Sequence, residues 1–387
     1  MIYLDNSATT PMHPEVIDVM TDVMKKIFGN PSSLHGLGAK AERLVEQARQ
    51  VTARMLGCTP QEIFFTSGGT EANNLAIKGT LDRIHGRGKH IITTKVEHPS
   101  VYEVYEQLKK RGWRVTYLSV DSLGRVNPDE VEKAVDDETV LVSVMHVNNE
   151  VGTIQPIGEI GKRLAKYPKV LFHVDAVQSF AKLPLLPARA HIDLLSISAH
   201  KIHGPKGIGA LYVRKNLSLE PLLVGGGQEK GLRSGTEYVP GIAGLAKAIV
   251  LAEQKRTEFL RNSQRWKKAF LERLDGKLSP MIVNGDISPE GCAPYILSLS
   301  FPGIKSEVLV HALEEEGIYV SSKSACSSKA EIPSRVLKAM GRTDEEAIGS
   351  IRISMGFQTT AEEMERCADV LLRVIPRLQK VMKVHKG

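Results

Sequence analysis

Between residues 62 and 213, short apolar runs alternate with longer stretches whose apolar residues recur at helical spacing. The runs fall at 62–66, 90–94, 114–118, 140–145, 170–175, 194–197 and 210–213; helical periodicity separates most of them, at 101–111, 128–135 and 158–166. Consecutive strands joined through a helix can lie parallel only if the helix crosses back over the sheet, so this alternation predicts an α/β fold with a mostly parallel, doubly wound sheet. A chain of 387 residues exceeds the ~100–200 residues of one ordinary domain, which predicts two. A long helical region from about 240 to 275 leads out of the alternating part. Strand-like runs near 282–284 and 296–301 and helical ones at 306–316 and 361–382 then predict a smaller α+β unit.

Composition excludes several function classes. The net charge is +7, but the basic residues are scattered, with no recognition helix, zinc-finger spacing or aromatic-basic strip, so direct nucleic-acid binding is not expected. No apolar run approaches the ~20 residues that span a bilayer, and the N-terminal residues lack a basic, then hydrophobic, leader. A cytoplasmic protein is expected. Its four cysteines, Cys58, Cys292, Cys326 and Cys367, include no C-x-x-C pair, which argues against a disulfide framework or an intrinsic metal site. Cys326 stands apart, since Ser321 to Ser328 is too polar for core.

The chemistry concentrates where apolar runs end. Ser196 and Ile197 close one run, His200 and Lys201 follow, and glycines and a proline then bar a regular helix before the next run at 210. A lysine held between two buried strands is placed to lose its proton and form a Schiff base, although on this stretch alone a lysine reaching to solvent is an equal reading. Ser67 to Asn74 joins a strand to a helix through Gly68, Gly69 and Thr70, an arrangement that lets backbone N–H groups cradle a phosphate or simply caps the helix. Thr70, His98, Asn149, Asp175, Gln178 and Lys201 all fall just beyond strand ends, on the rim where such sheets bind ligands. Together they read as a pyridoxal phosphate site, with a lysine, a carboxylate for the pyridine nitrogen and a phosphate cradle.

At this point the sequence resembles the cysteine desulfurases of the NifS/IscS type, within the class V aminotransferases and the fold-type I pyridoxal phosphate enzymes. The resemblance runs through Tyr3–Pro11, Thr66–Asn74, Val96–His98, Met145–Glu150, His173–Gln178, Ser198–Gly209, Arg233–Thr236 and Ser324–Cys326. It implies a large domain, residues 15–260, with a mostly parallel seven-stranded sheet flanked by helices. Residues 1–14 and 261–387 would form the small domain that carries the Cys326 loop. It also implies that Lys201 holds the cofactor, Asp175 pairs with the pyridine nitrogen, Gln178 bonds the ring hydroxyl, and His98 stacks on the ring and assists proton transfer. Gly69, Thr70, Ser198 and His200 would hold the phosphate, with Thr236 reaching it from the other subunit of a homodimer. Asn149 would lie near ring and substrate, and Arg352 would clamp the carboxylate of L-cysteine.

The implied reaction yields alanine and a persulfide on Cys326, which attacks as a thiolate. The persulfide would pass to an acceptor, either an iron–sulfur scaffold or a tRNA-thiolating enzyme; a cluster on such a partner is the one metal it would meet. The spacing from Cys326 to Arg352 is that of the long-loop group of the family, whereas the tail after Arg377 does not obviously match the scaffold-docking end of the housekeeping members. Rival readings are a selenocysteine lyase or a small-amino-acid aminotransferase of the same fold, and a sulfur carrier with a vestigial site.

Overall fold

The computed structural model describes residues 1–84, 86, 88–322 and 332–384. In chain order its elements are β1 (Ile2–Tyr3), α1 (Pro14–Lys26), α2 (Gly36–Leu56), β2 (Ile63–Thr66), α3 (Gly69–Asn74), α4 (Thr80–Arg83), β3 (His90–Thr94), α5 (Pro99–Lys110), β4 (Arg114–Leu118), α6 (Pro128–Ala134) and β5 (Thr139–Met145). After these come α7 (Ile157–Leu164), β6 (Leu171–Asp175), β7 (Leu194–Ser198), β8 (Gly209–Val213), α8 (Val239–Leu274), β9 (Ile282–Asn284), β10 (Ile296–Ser300), α9 (Ser306–Glu315), β11 (Ile318–Tyr319) and β12 (Ser321–Ser322). Last are α10 (Arg335–Ala339), α11 (Asp344–Ile348), β13 (Ser350–Ser354) and α12 (Ala361–Val384).

Seven strands form the main sheet in the order β2-β8-β7-β6-β5-β3-β4. The run from β7 to β4 is parallel, and β8 lies antiparallel to both of its neighbours, so one strand breaks the parallel pattern. Burial follows position. Every residue of β5, β6 and β7 is buried, as expected of strands covered on both faces, whereas the edge strand β4 begins exposed at Arg114. The apolar runs of the sequence do not alternate with polar residues because these strands have no wet face to show.

The small antiparallel sheet, β12-β13-β10-β9, packs its apolar residues with α9 and α12 into a core of its own, where Leu299, Phe301, Ile351, Leu371 and Ile375 are fully buried. The sequence predicts one helix from about 240 to 275, and α8 is that helix. It packs on α1 and α2 and on α12. The N-terminal arm crosses over: Ile2 and Tyr3 pair with Ile318 and Tyr319, and Asp5 bridges Ser354.

One glycine-rich segment departs from expectation. Gly225 to Thr236 reads in sequence as a flexible loop, yet Glu229 within it is buried and forms a two-pronged ion pair with Arg49 of α2, both contacts at 2.8 Å. The same carboxylate accepts the backbone N–H of Phe65 at 2.8 Å. A buried carboxylate persists only when charge and hydrogen bonds compensate it, and here both do.

Candidate active site

The parallel strands end on a cavity of about 390 Å³ between the main sheet and the small sheet. On the sheet side Asp175 closes β6. Its Oδ2 accepts Asn73 Nδ2 at 2.9 Å and its Oδ1 accepts the backbone N–H of Val177 at 3.0 Å. Asn73 also donates to Ser100 Oγ at 2.8 Å, and that hydroxyl lies 2.8 Å from His98 Nδ1. His98 caps α5, and its Nδ1 accepts the backbone N–H of Ser100 at 3.2 Å, which puts the proton of the neutral ring on Nε2. Carboxylate, amide, hydroxyl and imidazole thus form one chain of polar contacts along the rim.

Lys201 stands on the turn after β7. Its Nζ donates to the carbonyl oxygens of Ser7 and Ala8, the latter at 2.7 Å, so the N-terminal arm holds the amine in place. Burial, and next the nearby Arg352 guanidinium, lower its pKa to about 8, against the pull of Asp5 and Asp175. A lysine so placed is a usable nucleophile near neutral pH. His200 beside it is lowered to about 4, chiefly by burial and then by Lys201, and is therefore neutral; its Nδ1 lies 3.1 Å from Thr9 Oγ1.

Gly69, Thr70, Ser198 and His200 gather at one end of the cavity. Backbone approaches closely there. A Cβ on Gly69 would fall 2.6 Å from Val177 Cγ2, and one on Gly209 would fall 2.8 Å from Gly68 Cα. Gly68 adopts a φ of +153°, which favours glycine.

On the opposite wall Arg352 of β13 donates from Nη1 to the Asn149 carbonyl and from Nη2 to Asp5 Oδ1, each at 2.8 Å. Its Nε is buried without a hydrogen-bond partner among the described residues. Ser321 and Ser322 of β12 complete this wall. Cys326 follows in sequence and lies outside the described residues. Where the description resumes, Arg335 donates to the carbonyls of Lys95 and Glu97, with its guanidinium 3.6 Å from the Tyr102 ring centroid, and Ser334 Oγ donates to Glu150 at 2.5 Å.

Of the residues singled out in sequence, Gly69, Thr70, His98, Asn149, Asp175, Gln178, Ser198, His200, Lys201 and Arg352 all line this one cavity. Thr236 does not; it is exposed on its own chain. Asn73, Ser100, Ser7 and Ala8 are additional. Asn73 and Ser7 lay inside motifs already conspicuous in sequence, but nothing there distinguished a side chain that holds a carboxylate from one that caps a helix.

Pyridoxal phosphate fits these residues. Asp175 supplies the carboxylate, the close-packed glycine turn supplies an anion cradle, and Lys201 supplies the amine. Gln178 Oε1 is buried without a partner among the described residues while its Nε2 donates to the Ser7 carbonyl at 2.9 Å, leaving one acceptor for a ring hydroxyl.

Comparison with known proteins agrees. The family Aminotransferase class-V matches residues 2–367. The putative cysteine desulfurase IscS 1 of Bacillus subtilis (strain 168) is 47% identical over 97% of this chain and 99% of its own. A solved NifS-like protein superposes with a TM-score of 0.91 at 39% identity, covering 97% of this chain and all of that one. A structure titled SspA in complex with cysteine gives a TM-score of 0.79 at 36% identity, covering 93% of this chain and all of the other.

Proposed function

Because the chain belongs to the class-V aminotransferase family, among the pyridoxal phosphate-dependent cysteine desulfurases of the NifS/IscS type, we propose that it takes sulfur from L-cysteine, releases L-alanine and holds the sulfur as a persulfide on Cys326. The observation that carries this reading is the placement of Lys201 Nζ, lowered to about 8, in one cavity with Asp175, His98 and Arg352. A relative solved with cysteine bound supports the substrate.

Bound among Asp175, Gln178, His98 and the Gly69–Thr70 turn, pyridoxal phosphate supplies a ring that withdraws electrons from the substrate α-carbon. The remaining work belongs to the chain. Asp175, its oxygens oriented by Asn73 Nδ2 and by the Val177 N–H, would be the carboxylate that pairs with the pyridine nitrogen. Arg352 receives the substrate carboxylate in the two-pronged geometry a guanidinium favours. Lys201 Nζ, released from the Ser7 and Ala8 carbonyls, is the base positioned to take the α-proton. His98, with Nδ1 engaged by Ser100, has Nε2 to give and take a proton at the substrate. The Cys326 thiolate attacks the substrate sulfur; a sulfur–sulfur bond forms and the electron pair of the carbon–sulfur bond passes to carbon, which is then protonated to alanine.

The same reading extends to a homodimer in which Thr236 of one subunit completes the other's phosphate cradle. It divides the chain into 15–260 against 1–14 with 261–387, places the protein in the cytoplasm, and passes the sulfur to an iron–sulfur scaffold or a tRNA-thiolating enzyme. No helix among the described residues is long and apolar enough to cross a membrane. The test is alanine formation from L-cysteine with a thiol reductant and no keto acid. Alanine that appears only when a keto acid is added would point to transamination and sink the proposal.

A further inference from the structure

Away from the cavity, two buried side chains meet in an unusual contact. Lys267 on α8 and Cys292, shortly before β10, are 6% and 3% exposed. Lysine is seldom buried to that extent unless it is paired with a charge, yet the partners of this one are a carbonyl, Ile296 O at 3.0 Å, and a thiol. Its Nζ lies 2.7 Å from Cys292 Sγ. Two other nitrogen–sulfur contacts in the same structure, Asn148 to Met145 and Arg256 to Met55, measure 3.4 and 3.9 Å. Sulfur is larger than oxygen and a weak hydrogen-bond partner, so a contact as short as the tightest ordinary N–H···O bond places the two atoms at reacting distance.

We propose that Lys267 and Cys292 form an oxidation-dependent covalent cross-link, nitrogen to oxygen to sulfur, with hydrogen peroxide as the oxidant. In such a bridge nitrogen and sulfur lie two bonds apart, a separation close to the one already present, so neither backbone has to shift. A first peroxide oxidises the thiol to a sulfenic acid: its O–O bond breaks, sulfur gives up two electrons, and one water leaves. A second peroxide takes two more electrons as the lysine nitrogen bonds to the sulfenic oxygen. One N–H hydrogen and the sulfenic hydrogen leave with its oxygens as two waters. Burial slows the first oxidation, but peroxide is scarcely larger than water and both groups are uncharged in the product.

The bridge would fasten α8 to a segment that already braces the cavity. Cys292 pairs with Thr153 across an isolated antiparallel bridge, Ala293 N–H donates to Gly152 O at 2.8 Å and Ile154 N–H to Gly291 O at 2.9 Å. Asn149 belongs to the turn this pairing holds. The cross-link does not depend on the reaction proposed for the cavity, and neither residue lines it.

The experiment treats the cofactor-loaded protein with hydrogen peroxide, blocks free thiols, and maps the digested peptides by tandem mass spectrometry. The expected product is a peptide pair joined through Lys267 and Cys292, heavier by one oxygen and lighter by two hydrogens than its parts, and lost after thiol reduction. Lys267→Arg keeps the charge without a primary amine and should remove the cross-link while leaving alanine formation unchanged; Cys292→Ala should remove it as well. Cys292 oxidised alone with Lys267 free, a join without the added oxygen, or the same join in Lys267→Arg would each overturn the proposal. The wild-type peptide map decides the question even if a variant fails to fold.

Discussion

Arg352 and Asp5, separated by 347 positions in the chain, face each other at 2.8 Å across the mouth of the cavity, with side chains only 14% and 21% exposed. The guanidinium proposed to receive a substrate carboxylate is therefore already aligned by a carboxylate of the chain itself. A second carboxylate can join without the arginine having to be ordered first, which reduces the entropy lost on binding.

Arg352→Lys should replace a planar fork by a point charge. Charge-assisted bonds contribute ~1.5–3 kcal/mol, so KM for L-cysteine should rise about 10- to 100-fold. The cofactor absorbance should be retained, because Arg352 lies on the opposite wall from the phosphate cradle. An unchanged KM would show that the substrate carboxylate binds elsewhere.

The pKa of Lys201 gives a second expectation. A lysine lowered to about 8, by burial first and by Arg352 second, becomes a neutral amine as pH rises through that value. Only the neutral amine attacks an aldehyde, so the apo-protein should take up pyridoxal phosphate faster as pH rises from about 7 to about 9. Arg352→Gln removes a positive neighbour, raises the pKa and should move the midpoint to higher pH. Borohydride reduction of the loaded protein should leave the pyridoxyl group on Lys201. A label on Lys206, or a midpoint displaced downward, contradicts the assignment.

The strand-end rim was legible in sequence because buried parallel strands are written as mostly apolar runs. Polar residues at or just past the end of each run then fall on the ligand-binding edge. Thr70, His98, Asp175 and Lys201 were all found that way. Ser7 and Ala8 were not, because they act through carbonyl oxygens, which every residue possesses. The anchoring of Gly225–Thr236 was hidden for a related reason: Glu229 reads as a surface charge until its partner Arg49, 180 positions away, is seen beside it.

That anchor supports a stability prediction. Removing one member of a buried ion pair leaves a charge without compensation and typically costs ~3–5 kcal/mol. Glu229→Ala should lower the unfolding free energy by about that amount, read from urea titration, and should hit harder than loss of the exposed pair Lys26–Asp22, for which ~0–1 kcal/mol is expected. Equal effects of the two would show that Arg49 finds water or another partner.

Cys326→Ser removes the sulfur nucleophile and leaves every residue of the cradle in place. The variant should load pyridoxal phosphate and exchange the α-proton of L-cysteine, seen by deuterium incorporation, yet release alanine only at trace rate. Cys367, fully buried, is the control. Serine there should cost ~1–3 kcal/mol through an unsatisfied hydroxyl and spare turnover in the folded fraction. Normal turnover in Cys326→Ser would refute its role.

Thr236 is exposed on its own chain, which leaves its hydroxyl accessible to the partner subunit of the proposed homodimer. Sedimentation should give about twice the 42.5 kDa chain mass, and Thr236→Ala should weaken cofactor affinity without dissociating the dimer. A fully active monomer at the same concentration excludes the arrangement.

The N-terminal arm spans both sheets. Its first residues pair with Ile318 and Tyr319, Asp5 finds Arg352, and the carbonyls of Ser7 and Ala8 close over Lys201. The arm therefore joins two distant parts of the chain, residues 200–203 through Thr10 and His13 and residues 318–354 through Ile2, Tyr3 and Asp5. The large sheet can assemble during translation, since all seven of its strands lie between residues 63 and 213. The sheet side of the cavity, with the amine of Lys201 and the carbonyls that hold it, can thus take shape from residues before 214, while the facing wall waits for β13 to bring Arg352 to Asp5.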